Sequence, residues 1–100
     1  MTVALHVIYP SSGTSHFDQG YYAQSHAPLV QRLLEPEGLR ALRISAPATN
    51  DQPFHLMATL VFDDLATAQA ALGKHQVTLH ADIANFSSLA PTRFLAIETD

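Results

Sequence analysis

Apolar residues change period several times along this chain, and each change marks an element. From Val3 to Tyr9 the pattern alternates, with Val3, Leu5, Val7 and Tyr9 on one face and Ala4, His6 and Ile8 on the other. Both faces are mostly apolar, so the pattern predicts a central strand ending at Pro10. A polar loop with one glycine follows, Ser11 to His16. From Phe17 to Leu34 the period lengthens. Tyr22, His26, Leu29 and Leu33 recur at spacings of four, three and four, which places them on one face of a helix. Asp18 is the expected N-cap, and Glu35-Pro36 the expected stop, since a residue before proline avoids the helical region. Pro28 lacks the N–H that would bond to the carbonyl of Gln24, so a kink or a free acceptor is expected beside His26.

Beyond Gly38, Leu39 to Ala46 alternates Leu42 and Ile44 with Arg43 and Ser45, as an edge strand does. Pro47 to Pro53 is a hairpin loop, and Phe54 to Phe62 is the strongest strand in the chain. Asp63 or Asp64 caps a second helix, Leu65 to Leu72, with Leu65, Ala68 and Leu72 as its apolar stripe and Gly73 as its stop. A short third helix is expected over Gln76 to Ala84, with Leu79, Ile83 and Phe86 inward. Pro91 breaks it, and Thr92 to Thr99 is the last strand.

The order is β-α-β-β-α-β, the pattern of a ferredoxin-like α+β sandwich. A four-stranded antiparallel sheet with helices on one face leaves the other face open. The central strands are apolar on both sides, so the open face is expected to pair with that of a second subunit as a homodimer. One hundred residues fit a single domain, 1–100.

Composition narrows the function. The net charge is −4 with only 5 Lys+Arg, scattered along the chain, so no nucleic-acid partner and no anionic membrane partner is expected. There are no cysteines, which excludes disulfides, thiolate nucleophiles and zinc–thiolate sites. The apolar N-terminal run is too short to span a bilayer and lacks a basic flank, so the default location is cytoplasmic. The six histidines form no recognised zinc pattern, and neither a metal nor a cofactor is expected. There is no nucleophile elbow, phosphate loop or dinucleotide fingerprint.

His26 is the leading candidate for chemistry, because an imidazole can give and take a proton near neutral pH. The bland alternative is a buried histidine hydrogen-bonded to the backbone near Pro28. Tyr22, one turn earlier, either donates to a substrate oxygen or is an amphipathic core residue. Asn85 either binds a carbonyl or enolate oxygen or caps a helix. Asp82 either orients His26 or stays solvated. Phe17, Tyr21, Leu29 and Phe86 complete the candidate ligand-binding set.

The segment from Tyr9 to Val30 resembles the signature of the EthD-like family of the dimeric α+β barrel superfamily. The matching residues are Tyr9-Pro10, Phe17-Asp18, Tyr21-Tyr22 and His26-Ala27-Pro28-Leu29. The strand exit Phe62-Asp63 and the segment Ala81-Asp82-Ile83-Ala84-Asn85-Phe86 extend the resemblance over nearly the whole chain. It implies a ferredoxin-like protomer, a sheet-to-sheet homodimer and a small cavity per subunit, in proteins of organic-compound catabolism. The expected function is cofactor-independent acid/base chemistry on a small lactone, quinone or aromatic-derived ligand, with His26, Tyr22 and Asn85 catalytic. The alternatives are a non-catalytic accessory protein that binds a ligand, and an oxygenase of the same superfamily.

Overall fold

A computed structural model of the chain describes residues 1–99. Four strands form one antiparallel sheet: β1 (Val3–Pro10), β2 (Leu39–Ser45), β3 (Phe54–Phe62) and β4 (Thr92–Ile97), in the spatial order β2-β3-β1-β4. The two strands with apolar side chains on both faces, β1 and β3, occupy the centre. The arginine-bearing β2 lies at an edge, as its composition requires. The element order is that of the ferredoxin-like fold, with helices on one face of the sheet.

The core lies between that face and the helices. Val3, Leu5, Val7 and Tyr9 of β1 and Leu56, Ala58, Leu60 and Phe62 of β3 are buried there, with Tyr22, Ala27, Val30 and Leu34 from the first helix. The pairing Val3↔Phe62, Leu5↔Leu60, Val7↔Ala58 and Tyr9↔Leu56 puts these residues side by side on one face. The other face presents Ala4, His6 and Ile8 beside Val61, Thr59 and Met57, with Ala96 and Phe94 on β4. His6 bonds to Thr59 on this face through Nδ1 and Oγ1, 3.1 Å apart. It does not meet His55, which lies at the far end of β3, where its ring stacks on Phe17.

Both helices depart from the expected pattern, for separate reasons. The first spans residues 19–34, capped by Asp18, whose Oδ1 accepts from the Tyr21 N–H at 3.0 Å. Its segment Tyr22–His26 is a π turn, in which the Ala27 N–H reaches back to the Tyr22 carbonyl. The helix thereby accommodates Pro28, which cannot donate. The wider turn shifts the buried stripe by one residue, so Val30 and Leu34 are buried where Leu29 and Leu33 were expected.

The second helix runs unbroken over Leu65–Ile83, through Gly73, and absorbs the separate third helix that the sequence suggested. Gly73 makes no positive-φ turn, and no proline follows until Pro91, so the glycine weakens the helix without ending it. Leu65 sits in the first turn and is 43% exposed, and the helix buries Ala68 and Ala71 instead.

Two glycine substitutions should move stability in opposite directions. Gly38 has φ +110°, and an added Cβ would lie 2.5 Å from Thr67 Cγ2. Gly38→Ala is therefore expected to cost about 1–3 kcal/mol. At Gly73 an added Cβ meets nothing within 4 Å. Gly73→Ala should stabilise by about 0.5–1 kcal/mol. Urea unfolding of both variants checks the signs.

Candidate functional site

The π turn brings Tyr22 and His26 onto the inner side of the first helix, where both are buried. The end of the second helix is held against the same place by backbone bonds. The Asp18 N–H donates to the Phe86 carbonyl at 2.7 Å, and Phe17 pairs with Ser87 in an isolated bridge. The turn after the helix closes through Asn85 N–H to Asp82 O and Phe86 N–H to Ile83 O, each 3.0 Å. Asp82 is thus placed beside the imidazole.

His26 Nδ1 and Asp82 Oδ2 are 2.9 Å apart, with the histidine ring almost fully buried. The other Asp82 oxygen accepts from the Tyr21 hydroxyl at 2.7 Å and from Asn85 Nδ2 at 2.9 Å. Asn85 Nδ2 also donates to the Tyr21 hydroxyl oxygen, 3.2 Å away. Burial pushes the Asp82 carboxyl up, but hydrogen bonds from Tyr21, His26 and Asn85 outweigh it and hold the group below the usual carboxylate range. Burial pulls His26 below its ordinary value, with the Asp82 hydrogen bond opposing. The pair at neutral pH is therefore an ionised carboxylate and a neutral imidazole. An ionised carboxylate only accepts, so the ring proton sits on Nδ1 and Nε2 carries the lone pair. Nε2 has no hydrogen-bond partner among the described residues.

His26 lines a small cavity of about 60 Å³ between the helices and the sheet. Val7, Tyr9, Tyr22, Leu60 and Leu79 form much of its wall. Burial pushes the Tyr22 hydroxyl up to about 12, so it stays protonated and able to donate. Tyr9 is raised as well, by burial first and then by Tyr22. At its outer end the cavity meets a groove of about 400 Å³ between the second helix and β4, and Gln76, His80 and Arg93 border both spaces.

The expected site residues divide into four groups. Tyr22 and His26 line the cavity. Asp82, Tyr21 and Asn85 form a hydrogen-bonded cluster behind the imidazole, so Asn85 is not at the cavity wall. Phe86 packs on the other side of the ring, with centroids 4.6 Å apart, and Phe17 stacks between Tyr9 and His55. Leu29 is only half-buried, and Val30 takes its place in the wall, a consequence of the π turn.

Tyr9, Gln76, His80 and Arg93 were not foreseen. Tyr9 belongs to the same face as Val3, Leu5 and Val7, which was a usable signal. Ending the second helix at Gly73 concealed the stripe Leu72, Gln76, Leu79 and Ile83, all of which line the cavity. Among the described residues, no group of three His, Asp or Glu side chains is placed to hold a metal ion. No helix of the described residues is long and apolar enough to cross a membrane.

Fold and site together define a ferredoxin-like α+β protein of the dimeric α+β barrel superfamily. The family model of the EthD domain matches residues 13–90, and the chain belongs to the EthD family. Its structure is similar to that of an EthD-like protein from Ralstonia eutropha JMP134. The two are 25% identical with a TM-score of 0.81, over 95% of this chain and 89% of the other. An ethyl tert-butyl ether D (EthD) family protein from Bacillus halodurans C-125 is 22% identical with a TM-score of 0.78, over 99% of this chain and all of its own (100%). The fold is also shared with a variant of SnoaB, a cofactor-independent oxygenase from Streptomyces nogalater. That protein is 10% identical with a TM-score of 0.68, over 99% and 93% of the two chains. No curated protein matches the chain.

The charge state of His26 is directly measurable. Its ring should titrate with a midpoint below 6.5 by NMR, and Asp82→Asn should lower it further by removing the partner that opposes burial. The unfolded chain then binds this proton more readily than the folded one. His26's contribution to stability should be full above about pH 6.5 and fall as the pH drops toward its folded-state midpoint. Thermal unfolding between pH 7.5 and 5, compared with His26→Gln, checks the sign.

Proposed function

We propose that this protein binds a small, mostly apolar carbonyl compound and moves a proton beside its carbonyl without a cofactor. The observation that carries this reading is the state of His26. It is buried against a cavity, its Nδ1 is committed to an ionised carboxylate, and its Nε2 lone pair is unengaged by the protein. A base tuned below its ordinary value by burial stays unprotonated at neutral pH and is ready to accept.

The reaction runs as an isomerisation. Nε2 takes a proton from the carbon next to the carbonyl, and the C–H electron pair becomes the new C=C bond of an enolate. The carbonyl π pair moves onto oxygen, where the Tyr22 hydroxyl donates a hydrogen bond. Returning the same proton to the γ carbon of an unsaturated ligand restores the carbonyl and shifts the double bond. No atoms or electrons are gained or lost; the step needs an sp³ carbon beside the carbonyl, which lactones and partly saturated aromatic-derived ketones have and a fully conjugated quinone ring lacks. Asp82 stabilises the imidazolium formed midway and keeps the ring in one tautomer. Tyr21 and Asn85 are positioning residues that fix Asp82. The cofactor-independent oxygenase among the structural neighbours supports the view that this fold can host cofactor-free chemistry.

In D₂O, a panel of butenolides and cyclic enones should exchange the proton beside the carbonyl when incubated with the protein, monitored by NMR. His26→Gln should slow this exchange by about 10²- to 10⁴-fold. If no panel member exchanges in a His26-dependent way while ligands still perturb the His26 ring, the protein is a binding module and the catalytic reading is wrong.

The open sheet face is the proposed homodimer interface. Ile8 and Met57, both half-buried, and Phe94, 52% exposed, form its apolar surface, while Ala4 and Val61 between them are already buried within the chain. The 10.9 kDa chain should sediment at twice that mass at micromolar concentration, and Phe94→Glu should return it to the monomer with its fold intact. A wild-type monomer would refute the pairing.

A further inference from the structure

We infer that the ligand is a monocarboxylate whose apolar part lies in the groove and reaches toward the cavity, with its carboxylate on the Arg93 guanidinium where the two spaces meet. This deepens the proposed function and rests on it. Three observations point the same way.

The first is where Arg93 sits. It pairs with Val7 across β1 and β4, so the two share a sheet face, and both line the cavity. Its charge reaches the interior, because it acts on the buried Tyr9 hydroxyl in the direction of stabilising an anion there.

The second is that Arg93 has no ion-pair partner among the described residues. Arg40, Arg43 and Lys74 all pair with carboxylates, at 2.7, 3.6 and 2.7 Å respectively. Of the five Lys and Arg side chains, Arg32 and Arg93 make no such pair with the described residues, and of these two Arg93 borders the cavity.

The third is the sign of the surroundings. The chain has nine acidic residues and a net charge of −4, yet among the described residues no Asp or Glu lines either the cavity or the groove outside it, the Asp82 carboxylate standing behind His26. The polar side chains at their junction are Gln76, His80 and Arg93, which supply hydrogen-bond donors and one fixed positive charge. A guanidinium takes a carboxylate in a two-point grip, which would anchor one end of a ligand and fix its direction. The apolar walls beyond it face the non-polar end of the ligand, and His26 lines the cavity with its base. Arg93 is exposed and hydrated, so a neutral ligand gains little from it, and a cationic one would be repelled.

The test uses the whole protein with benzoate, cyclohexanecarboxylate and phenylacetate, each against its own amide. Binding is read from the His26 ring signals in NMR titrations. The acids should bind on the order of tenfold more tightly than their amides, as a charge-assisted hydrogen bond at a half-open site provides. The preference should vanish in Arg93→Gln and persist in Arg32→Gln, the other arginine without an ion pair among the described residues. Equal affinity for acid and amide, or a preference that survives Arg93→Gln, overturns the inference while leaving the cavity intact as a ligand site. If no probe of either kind moves the His26 signals, the cavity reading itself falls, and the carboxylate inference with it.

Discussion

The hydrogen bond between His26 and Asp82 joins residues 56 positions apart and ties the π turn of the first helix to the last turn of the second. Its worth depends on how much else is satisfied around it. A carboxylate drawn partly out of water is costly unless its oxygens are occupied, and the half-buried Asp82 receives donors from Tyr21, His26 and Asn85. The same three donors keep it ionised, and that charge fixes the tautomer of the imidazole. Structure and chemistry at this point are one arrangement: the bonds that seat the second helix also prepare His26 for proton transfer.

Pro28 supplies the geometric half of that arrangement. A regular α-helix would leave the Gln24 carbonyl without its donor, and would put Leu29 and Leu33 toward the sheet. One wider turn over Tyr22–His26 adapts the helix to the proline and rotates the rest of it by about one residue. Val30 and Leu34 become the inward residues, while Tyr22 and His26 stay buried on either end of the irregular turn. The aromatic cluster around Phe86 then packs on His26 from the other side. Its ring lies within 5.4 Å of Tyr9 and 5.3 Å of Tyr22, so rigid apolar walls surround the base.

The two spaces beside β4 show a different balance. The helices cover the centre of the sheet well and its β4 edge poorly, leaving Leu95 and Ile97 exposed on the helix-facing side. That thin cover is what opens the cavity to the outside between the second helix and Arg93. A fully covered sheet would bury more apolar area and have no entrance.

Much of this protein was determined by local pattern. The four strands, the central place of β1 and β3, the edge place of β2, the Asp18 cap and the ferredoxin-like order all follow from periodicity and turn residues, which act over a few positions, whereas the choice of Asp64 over Asp63 as the second cap was left open by them. His26 was legible because a titratable ring on an apolar face stands out in any sequence. Tertiary structure decided the rest. Whether Gly73 ends a helix or lies within one depends on what its neighbours pack against, since a glycine's cost of roughly 1 kcal/mol is easily outweighed. The shift from Leu29 to Val30 arises from a hydrogen-bond defect whose resolution, kink or π turn, is chosen by the sheet beneath. The joining of His26 to Asp82, and the placing of Arg93 at the cavity mouth, are contacts between residues distant in the chain. No local propensity encodes such contacts, because only the packed fold sets the distances between them.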